Sequence, residues 1–203
     1  MLTTVSDLSR PRARRPRSDA IRSRTALVDA AIRVLAADPG ADLARVAAAA
    51  GLSRQTLYAH FGSRAGLLAA VVDHIVAEVV RLLGQARLGE GSARDALVRF
   101  LHLFDELPVT WTRVAAAATA GATAEELADL HAPVVTSLAD LVRRGQASGE
   151  FDASLPVAWL TDATIALGHA AYELESHRDM SRAQVQQALR TSLLRVYGAS
   201  PTG

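Results

Sequence analysis

The sequence lacks cysteine and long apolar runs, and each absence excludes a class of protein. Without cysteine the chain cannot form disulfide bonds, thiolate zinc sites, iron–sulfur clusters or cysteine nucleophiles. No apolar run is long enough to span a membrane, and the first residues are rich in arginine and proline instead of apolar side chains. These features predict neither a membrane-spanning helix nor a secretory signal, and they lead us to expect a cytoplasmic location.

The motifs that mark common catalytic sites are absent too. The sequence contains no G-x-S-x-G nucleophile elbow, no P-loop and no H-E-x-x-H zinc motif, and its serine, histidine and aspartate residues are scattered. We therefore expect a protein that is not an enzyme and that uses no cofactor.

What the sequence does have is a strong asymmetry of charge. Half of its 203 residues are hydrophobic, enough to form a globular core, and its formal net charge is only +1. Residues 1–64, however, contain 11 arginines and 5 acidic residues, whereas residues 65–203 contain 11 arginines and 16 acidic residues. A basic first third joined to an acidic remainder is typical of a protein whose first part meets a polyanion.

Apolar residues recur with helical spacing through most of the chain. Leu27, Ala31 and Leu35 form one such stripe, and no segment shows the sustained alternation of a strand. Gly145 and Gly149 are interpreted as a turn between two helices. The pattern predicts an all-α protein with about nine helices.

Two short helices joined by a glycine lie in the basic third. Asp42 can cap the first helix, Ser53 can cap the second, and Gly51 offers the positive φ of the turn between them. The second helix leaves polar side chains on its outer face, namely Arg54, Gln55, Thr56, Tyr58 and His60. Arginine and glutamine can form paired hydrogen bonds with base edges, while hydroxyl and imidazole groups suit phosphate oxygens. The pattern predicts a DNA-binding helix-turn-helix, although any helix corner with a glycine looks similar.

The segment from Ala26 to Val71 resembles the N-terminal module of TetR-family transcriptional regulators, above all in the stretch AGLSRQTLYAHFGSRAGLL. The residues at the family's phosphate-contacting positions are Ser53, Thr56, Tyr58, His60 and Arg64, and those at its base-reading positions are Arg54 and Gln55. The resemblance also implies that Leu57 and Phe61 are buried anchors. Asp42 departs from the family, which often has serine or threonine at this cap, and a carboxylate there would repel phosphate.

The same resemblance implies that the remaining helices bind a ligand and form a dimer, with the last two helices paired with those of a second copy. The segment 155–175 is apolar on more than one side, which agrees with this expectation. Four aromatic residues could line a ligand cavity, although aromatic residues at helical spacing also form ordinary cores. They are Phe100, Phe104, Trp111 and Trp159.

One helical face could present metal ligands. His169, Glu173 and His177 follow one another at four-residue spacing, so two imidazoles and a carboxylate share that face. A solvated or interfacial helix face gives the same pattern, and the sequence offers no fourth ligand. We therefore expect no metal site.

Together these patterns predict a homodimeric transcriptional repressor that binds a palindromic DNA operator and is released by a small-molecule effector. The alternative is a constitutive DNA-binding regulator or an interaction protein with no effector. We divide the chain into a flexible basic arm at residues 1–18, a helix-turn-helix DNA-binding domain at 19–64, and an effector-binding and dimerisation domain at 65–203.

Overall fold

A computed structural model describes residues 16–177 and 180–198, and within them it contains nine α-helices and no strand. In chain order the helices are α1 (Pro16–Ala37), α2 (Leu43–Ala49), α3 (Arg54–Phe61), α4 (Arg64–Gln85), α5 (Ala93–Glu106), α6 (Val109–Ala118), α7 (Ala124–Ala147), α8 (Val157–His177) and α9 (Arg182–Val196). The predicted all-α class and the predicted number of helices are confirmed. None of these helices is both long and apolar enough, over its described residues, to cross a membrane.

Helix α1 begins at Pro16, within the segment 1–18 that the sequence analysis assigns to the basic arm. Proline suits the first helical position because its missing N–H would have no acceptor there, and Asp19 in the first turn interacts favourably with the helix dipole. The last residues assigned to the basic arm, 16–18, are therefore helical. The rest of the predicted arm, residues 1–15, lies outside the described residues.

Polar side chains cap the first turns of several helices. Thr123 forms a capping box with Glu126 at the start of α7, and Ser181 forms one with Gln184 at the start of α9. Ser92 caps α5 with its hydroxyl. These bonds fix the helix starts because they satisfy N–H groups that have no acceptor within the helix.

The chain forms two compact units, with the boundary after Val71. In unit 1, helices α1 to α3 and the first turns of α4 surround a small apolar core. One fully buried side chain from each helix illustrates it: Leu27, Val46, Leu57 and Leu67. Because α2 and α3 are short, this shared core, more than helix propensity, holds them in place.

In unit 2 the core is formed mainly by α5, α7, α8 and α9. Tyr197 closes it just after α9, with a fully buried side chain whose ring packs edge-on against Phe151 at a centroid distance of 4.9 Å. The Tyr197 hydroxyl shares a hydrogen bond of 2.8 Å with Oγ1 of Thr164. Burial raises the pKa of Tyr197 to about 12, so the hydroxyl stays neutral in the core.

Gly145 does not form part of a turn, contrary to the sequence interpretation, because α7 continues to Ala147. The ring of Phe151 lies against the Gly145 backbone, in the space that a Cβ atom would occupy. Gly149 does lie in the turn after α7 and has a φ of +76°. The two glycines thus serve different purposes, one allowing close packing and the other a left-handed backbone.

Two arginines bind the backbone of the loop between α4 and α5. Arg99 donates to the carbonyl oxygens of Ala86, Arg87 and Glu90. Arg144 donates to the carbonyl oxygens of Leu88 and Gly91, each at 2.7 Å. The loop is therefore fixed by side chains of α5 and α7.

Glu150, in the turn after α7, caps the N-terminus of α5, although it lies 57 residues after Ala93 in the sequence. Its carboxylate accepts hydrogen bonds from the N–H groups of Ala93 at 3.0 Å and Arg94 at 3.1 Å, and from the Ser148 hydroxyl at 2.9 Å. The two backbone hydrogen bonds lower the pKa of Glu150, with smaller contributions from Ser148 and from the positive charge of Arg144. Glu150 therefore links the start of α5 to the end of α7.

Candidate DNA-binding site

The outer face of α3 carries the side chains that the sequence assigns to base contacts. Leu57 on the opposite face is fully buried, and this fixes which side of α3 points outwards. Arg54 and Gln55 are exposed at the start of the helix, and neither side chain forms a hydrogen bond or ion pair within the part of the chain that the structure describes. Their donors and acceptors are thus available to another molecule.

Ala59 belongs to the same exposed face, although the sequence analysis does not single it out. It lies four residues after Gln55 and next to Tyr58, and both Tyr58 and Ala59 are exposed. Helical spacing from Gln55 could have identified the position, but an apolar methyl group gave no chemical signal. A methyl group on this face is suited to contact with a thymine methyl.

The first turn of α3 is closed by Ser53. Its hydroxyl oxygen accepts a hydrogen bond from the Thr56 N–H at 3.0 Å, and it lies 2.8 Å from Oγ1 of Thr56. Because one hydroxyl must donate to the other, only one of the two protons remains free for an outside acceptor. Ser53 and Thr56 therefore offer a phosphate one hydroxyl donor between them, beside the free N–H groups of the first turn.

The end of α3 combines exposed and partly buried rings. Tyr58 is 44% exposed and can reach an outside acceptor with its hydroxyl. Phe61 is only partly buried, unlike Leu57, and the guanidinium of Arg24 lies 5.6 Å from its ring centroid. The imidazole of His60 lies 5.9 Å from the same ring. Of the two expected anchors, Leu57 is confirmed as fully buried, whereas Phe61 sits at the edge of the core.

Arg64 follows α3 directly and has partners within unit 1. Its guanidinium donates to the carbonyl oxygen of Pro39 at 2.6 Å and also to the carbonyl oxygen of Ala41. These bonds tie the start of α4 to the loop before α2. A guanidinium has five N–H donors, so Arg64 can make them and still present donors to a phosphate.

The N-terminus of α2 is occupied by the protein's own carboxylates. Asp42 caps the helix by accepting a hydrogen bond from the Arg45 N–H at 2.8 Å. The side chain of Arg45 forms an ion pair of 2.9 Å with Asp38. Asp42 lies where the helix dipole would otherwise attract a phosphate, and Asp38 neutralises the charge of Arg45, so this helix end is a poorer anion site than the start of α3.

In unit 2, the four aromatic residues predicted to line a ligand cavity do not share one environment. Phe100 is 1% exposed in the core, whereas Trp159 near the start of α8 is 62% exposed. Trp111 on α6 is partly buried and packs edge-on against His74 of α4 at a centroid distance of 5.6 Å. The side chain of Phe104 lies outside the described residues.

The histidine-rich face of α8 meets a histidine of α7. The rings of His131 and His169 are 5.3 Å apart, and Nδ1 of His131 donates to the carbonyl oxygen of Leu127 at 2.7 Å. Partial loss of hydration and the nearby His131 lower the pKa of His169, while Glu173 acts in the opposite direction. Among the described residues no three histidine, aspartate or glutamate side chains converge as a metal site would require, and the His177 side chain lies outside them.

Comparisons with known proteins point to relatives of both units. The HTH-type transcriptional repressor LfrR of Mycolicibacterium smegmatis is 44% identical over 54 residues, which span 27% of this chain and 29% of LfrR. A crystal structure of LfrR in complex with proflavine is 29% identical, covers 89% of this chain and 99% of its own, and has a TM-score of 0.62. A TetR-family structure from Rhodococcus sp. is 26% identical, covers 87% of this chain and 99% of its own, and has a TM-score of 0.71.

The helical fold and the α2–α3 pair define the chain as a helix-turn-helix protein with a second, separate helical unit. Residues 27–71 match the family model described as bacterial regulatory proteins, tetR family. Over this segment the chain is therefore similar to TetR-family regulatory proteins, and over most of its length its fold is similar to that of TetR-family structures. The matched segment contains every residue assigned above to DNA contacts.

Proposed function

We propose that this protein is a transcriptional repressor that inserts α3 into the major groove of a palindromic DNA operator. The observation that carries the proposal is the exposed face at the start of α3, where Arg54 and Gln55 have donors and acceptors that no described residue binds. The N-terminal residues of a recognition helix are those that reach base edges in helix-turn-helix proteins. A DNA-bound regulator acts in the cytoplasm of a bacterium, as the sequence analysis expects.

The roles on this face divide by chemistry. Arg54 suits the paired acceptors of guanine and Gln55 the donor and acceptor of adenine, so these two residues would read sequence. The proposed phosphate contacts come from the hydroxyl, imidazole and guanidinium groups around them. They are Ser53, Thr56, Tyr58, His60 and Arg64. These contacts would set affinity and register without selecting bases.

A homodimer forms part of the proposal because a palindrome requires two copies of α3 related by twofold symmetry. Apolar side chains recur along one exposed face of α8, namely Trp159, Ala166, Ala170 and Leu174. A shallow depression of about 560 Å³ lies along α9, lined by small and polar side chains. We propose that these faces of α8 and α9 meet the same faces of a second copy.

Release by a small-molecule effector is the remaining part of the proposal. Of the aromatic residues assigned to effector binding, Trp111 is the best placed, because it is partly exposed and touches α4 through His74. Helix α4 begins directly after the helix-turn-helix, so a ligand near Trp111 could bias it. An effector that prefers the conformation unable to bind DNA would shift the population away from the operator.

Selection of bound sequences from random double-stranded DNA tests the DNA-binding part. We expect enrichment of a palindrome whose half-sites lie one helical turn apart or a multiple of it. The matched control is the double variant Arg54→Ala with Gln55→Ala, which leaves the buried face of α3 intact. Selection that recovers no common sequence, or the same sequence with the double variant, contradicts the assignment of α3.

A ligand screen separates the repressor from a constitutive regulator without an effector. Compounds that raise the melting temperature are tested for release of the selected operator in a gel-shift assay. In a Trp159→Phe background, tryptophan fluorescence reports on Trp111 alone, since the sequence has two tryptophans. Stabilising compounds that change this fluorescence but never release DNA would favour the constitutive alternative.

A further inference from the structure

A second candidate ligand site lies entirely within unit 2. A surface cavity of about 530 Å³ opens between the last turns of α4, the loop that follows α4, and α7. Small-molecule sites usually have volumes of about 300–1,000 Å³. Of the aromatic residues assigned to the effector, the three with described side chains, Phe100, Trp111 and Trp159, do not line the cavity.

Gly84 forms part of the wall that α4 contributes. Glycine destabilises a helix relative to alanine, and Gly84 has no positive φ that would require it. Apart from its chain neighbours and the backbone of its own helix, no atom of the described residues lies within 4 Å of the position where its Cβ would be, so no close contact requires glycine either. At Gly66 and Gly145, by contrast, a Cβ would overlap with neighbouring atoms. A side chain at position 84 would therefore extend into the cavity.

The charged groups at the rim already have partners. Asp140 forms an ion pair of 2.6 Å with Arg143, and the positive charge of Arg144, which also donates to two carbonyl oxygens of the loop at 2.7 Å, acts on the carboxylate of Glu150. A charged ligand would have to compete with one of these carboxylates or arginines to be compensated, whereas an uncharged ligand leaves the pairs in place. The lining therefore favours a neutral molecule.

The remaining lining is apolar apart from one hydroxyl. Val80, Leu83 and Leu141 provide apolar surface from α4 and α7. The Ser137 hydroxyl donates to the carbonyl oxygen of Pro133 at 2.9 Å, which leaves its oxygen able to accept. We propose that this cavity binds a small, uncharged, mainly apolar molecule that donates a hydrogen bond to Ser137.

Two fluorescent probes with the same ring system test the chemistry. N-phenyl-1-naphthylamine is uncharged, apolar and has one N–H donor, and 8-anilinonaphthalene-1-sulfonate adds a negative charge to it. We expect the uncharged probe to bind the full chain at least about tenfold more tightly, because the sulfonate of the charged probe would lose hydration and would have to compete with Asp140 and Glu150 for the two arginines. Equal affinity of the two probes, or tighter binding of the charged one, would overturn the proposed ligand class.

Variants then locate the probe. Gly84→Leu places a side chain in the cavity and favours the helix, so it should fold and weaken binding of the uncharged probe at least about tenfold. Gly121→Leu is the matched control: it adds the same side chain outside the cavity, where no atom lies within 4 Å of the new Cβ. Ser137→Ala should weaken binding about two- to tenfold.

These measurements contain no DNA, so their outcome is independent of the proposed repression. Unchanged probe binding in Gly84→Leu, or an equal loss in Gly121→Leu, would overturn the assignment of the site. Melting temperatures of all three variants show whether each is folded. If Gly84→Leu loses binding of the uncharged probe while its melting temperature is unchanged or raised, the assignment of the site is supported.

Discussion

At the scale of single residues, the arginines of unit 1 differ in what they already bind. Arg54 has no hydrogen bond or ion pair among the described residues, Arg45 is paired with Asp38, and Arg64 donates to two carbonyl oxygens. All three carry the same charge, but of the three only Arg54 has all five donors without a partner among the described residues. This distribution agrees with the proposal that Arg54 reads a base and that Arg64 positions the helix.

Replacing Arg54 by alanine should relax base preference at one position in each half-site and lower the affinity for the preferred base by about 1–3 kcal/mol. The physical reason is that Arg54 can donate two hydrogen bonds at once to guanine, which offers two neighbouring acceptors in the major groove, and the variant loses both. Equilibrium binding to a set of operators that differ at single positions measures the effect. Tyr58→Phe is the comparison, since loss of a phosphate contact should weaken all operators alike. A uniform loss in Arg54→Ala would show that Arg54 contacts the backbone instead.

Replacing Asp42 by asparagine should increase DNA affinity about two- to fivefold at low salt. Asparagine is as good a helix cap as aspartate, so α2 should remain stable while a charge that repels phosphate is removed. Binding to one operator over a range of salt concentrations tests this, and the gain should shrink as salt rises. Asp42→Glu serves as the control that keeps the charge. Unchanged affinity in the asparagine variant would place the α2 terminus far from the DNA.

At the scale of elements, α5 depends on residues that the sequence places far away. Its first N–H groups are bound by Glu150, and the loop before it is bound by Arg99 and Arg144. These two side chains satisfy backbone carbonyls along the loop from Ala86 to Gly91, and the hydrogen bonds hold the loop in place. The end of α4 is thereby fixed to α5 and α7.

Acidification should weaken this link through Glu150. The folded state lowers the pKa of Glu150, so its contribution to stability is present above the unfolded value of 4.5 and is lost as pH falls through the lower folded value. Glu150→Gln should therefore melt at a lower temperature than the natural chain at pH 7, and the difference should shrink below about pH 4.5. Arg99→Ala is the control, because a guanidinium does not titrate in this range. A melting difference for Glu150→Gln that stays constant down to pH 3 would exclude the charge as its cause.

At the scale of the whole molecule, the two units have different surface chemistry. Unit 1 presents polar and basic side chains on α3, whereas α8 of unit 2 exposes Trp159 and Leu174, with 62% and 43% of their surfaces accessible. Large apolar side chains at helical spacing on one exposed face favour burial against a partner. This supports the proposed second copy.

Replacing Leu174 by glutamate should weaken the dimer, because a charge would be buried at the proposed interface. The side chain is exposed in one copy, so the fold of each protomer should survive. Sedimentation velocity over a range of concentrations measures the mass, and binding to palindromes and single half-sites measures the consequence. Leu174→Met is the conservative control. If the glutamate variant dimerises with unchanged affinity, the interface does not include this part of α8.

The sequence by itself determined where the helices lie, which residues cap them, and which side chains form the outer face of α3. These depend on hydrogen bonds within one turn and on a spacing of three or four residues, as between Ser53 and Thr56 or Thr123 and Glu126. Such interactions connect neighbours in the chain, so the pattern of residue types is sufficient to predict them.

Only the tertiary structure decided which polar groups are already bound. Arg64 meets carbonyls 23 and 25 residues away, and Glu150 meets an N–H group 57 residues away. Gly145 lies within α7 and leaves room for the ring of Phe151, and Phe61 lies at the edge of the core instead of inside it. These outcomes depend on how helices meet in space, and helical spacing within one segment contains no information about the distance to another.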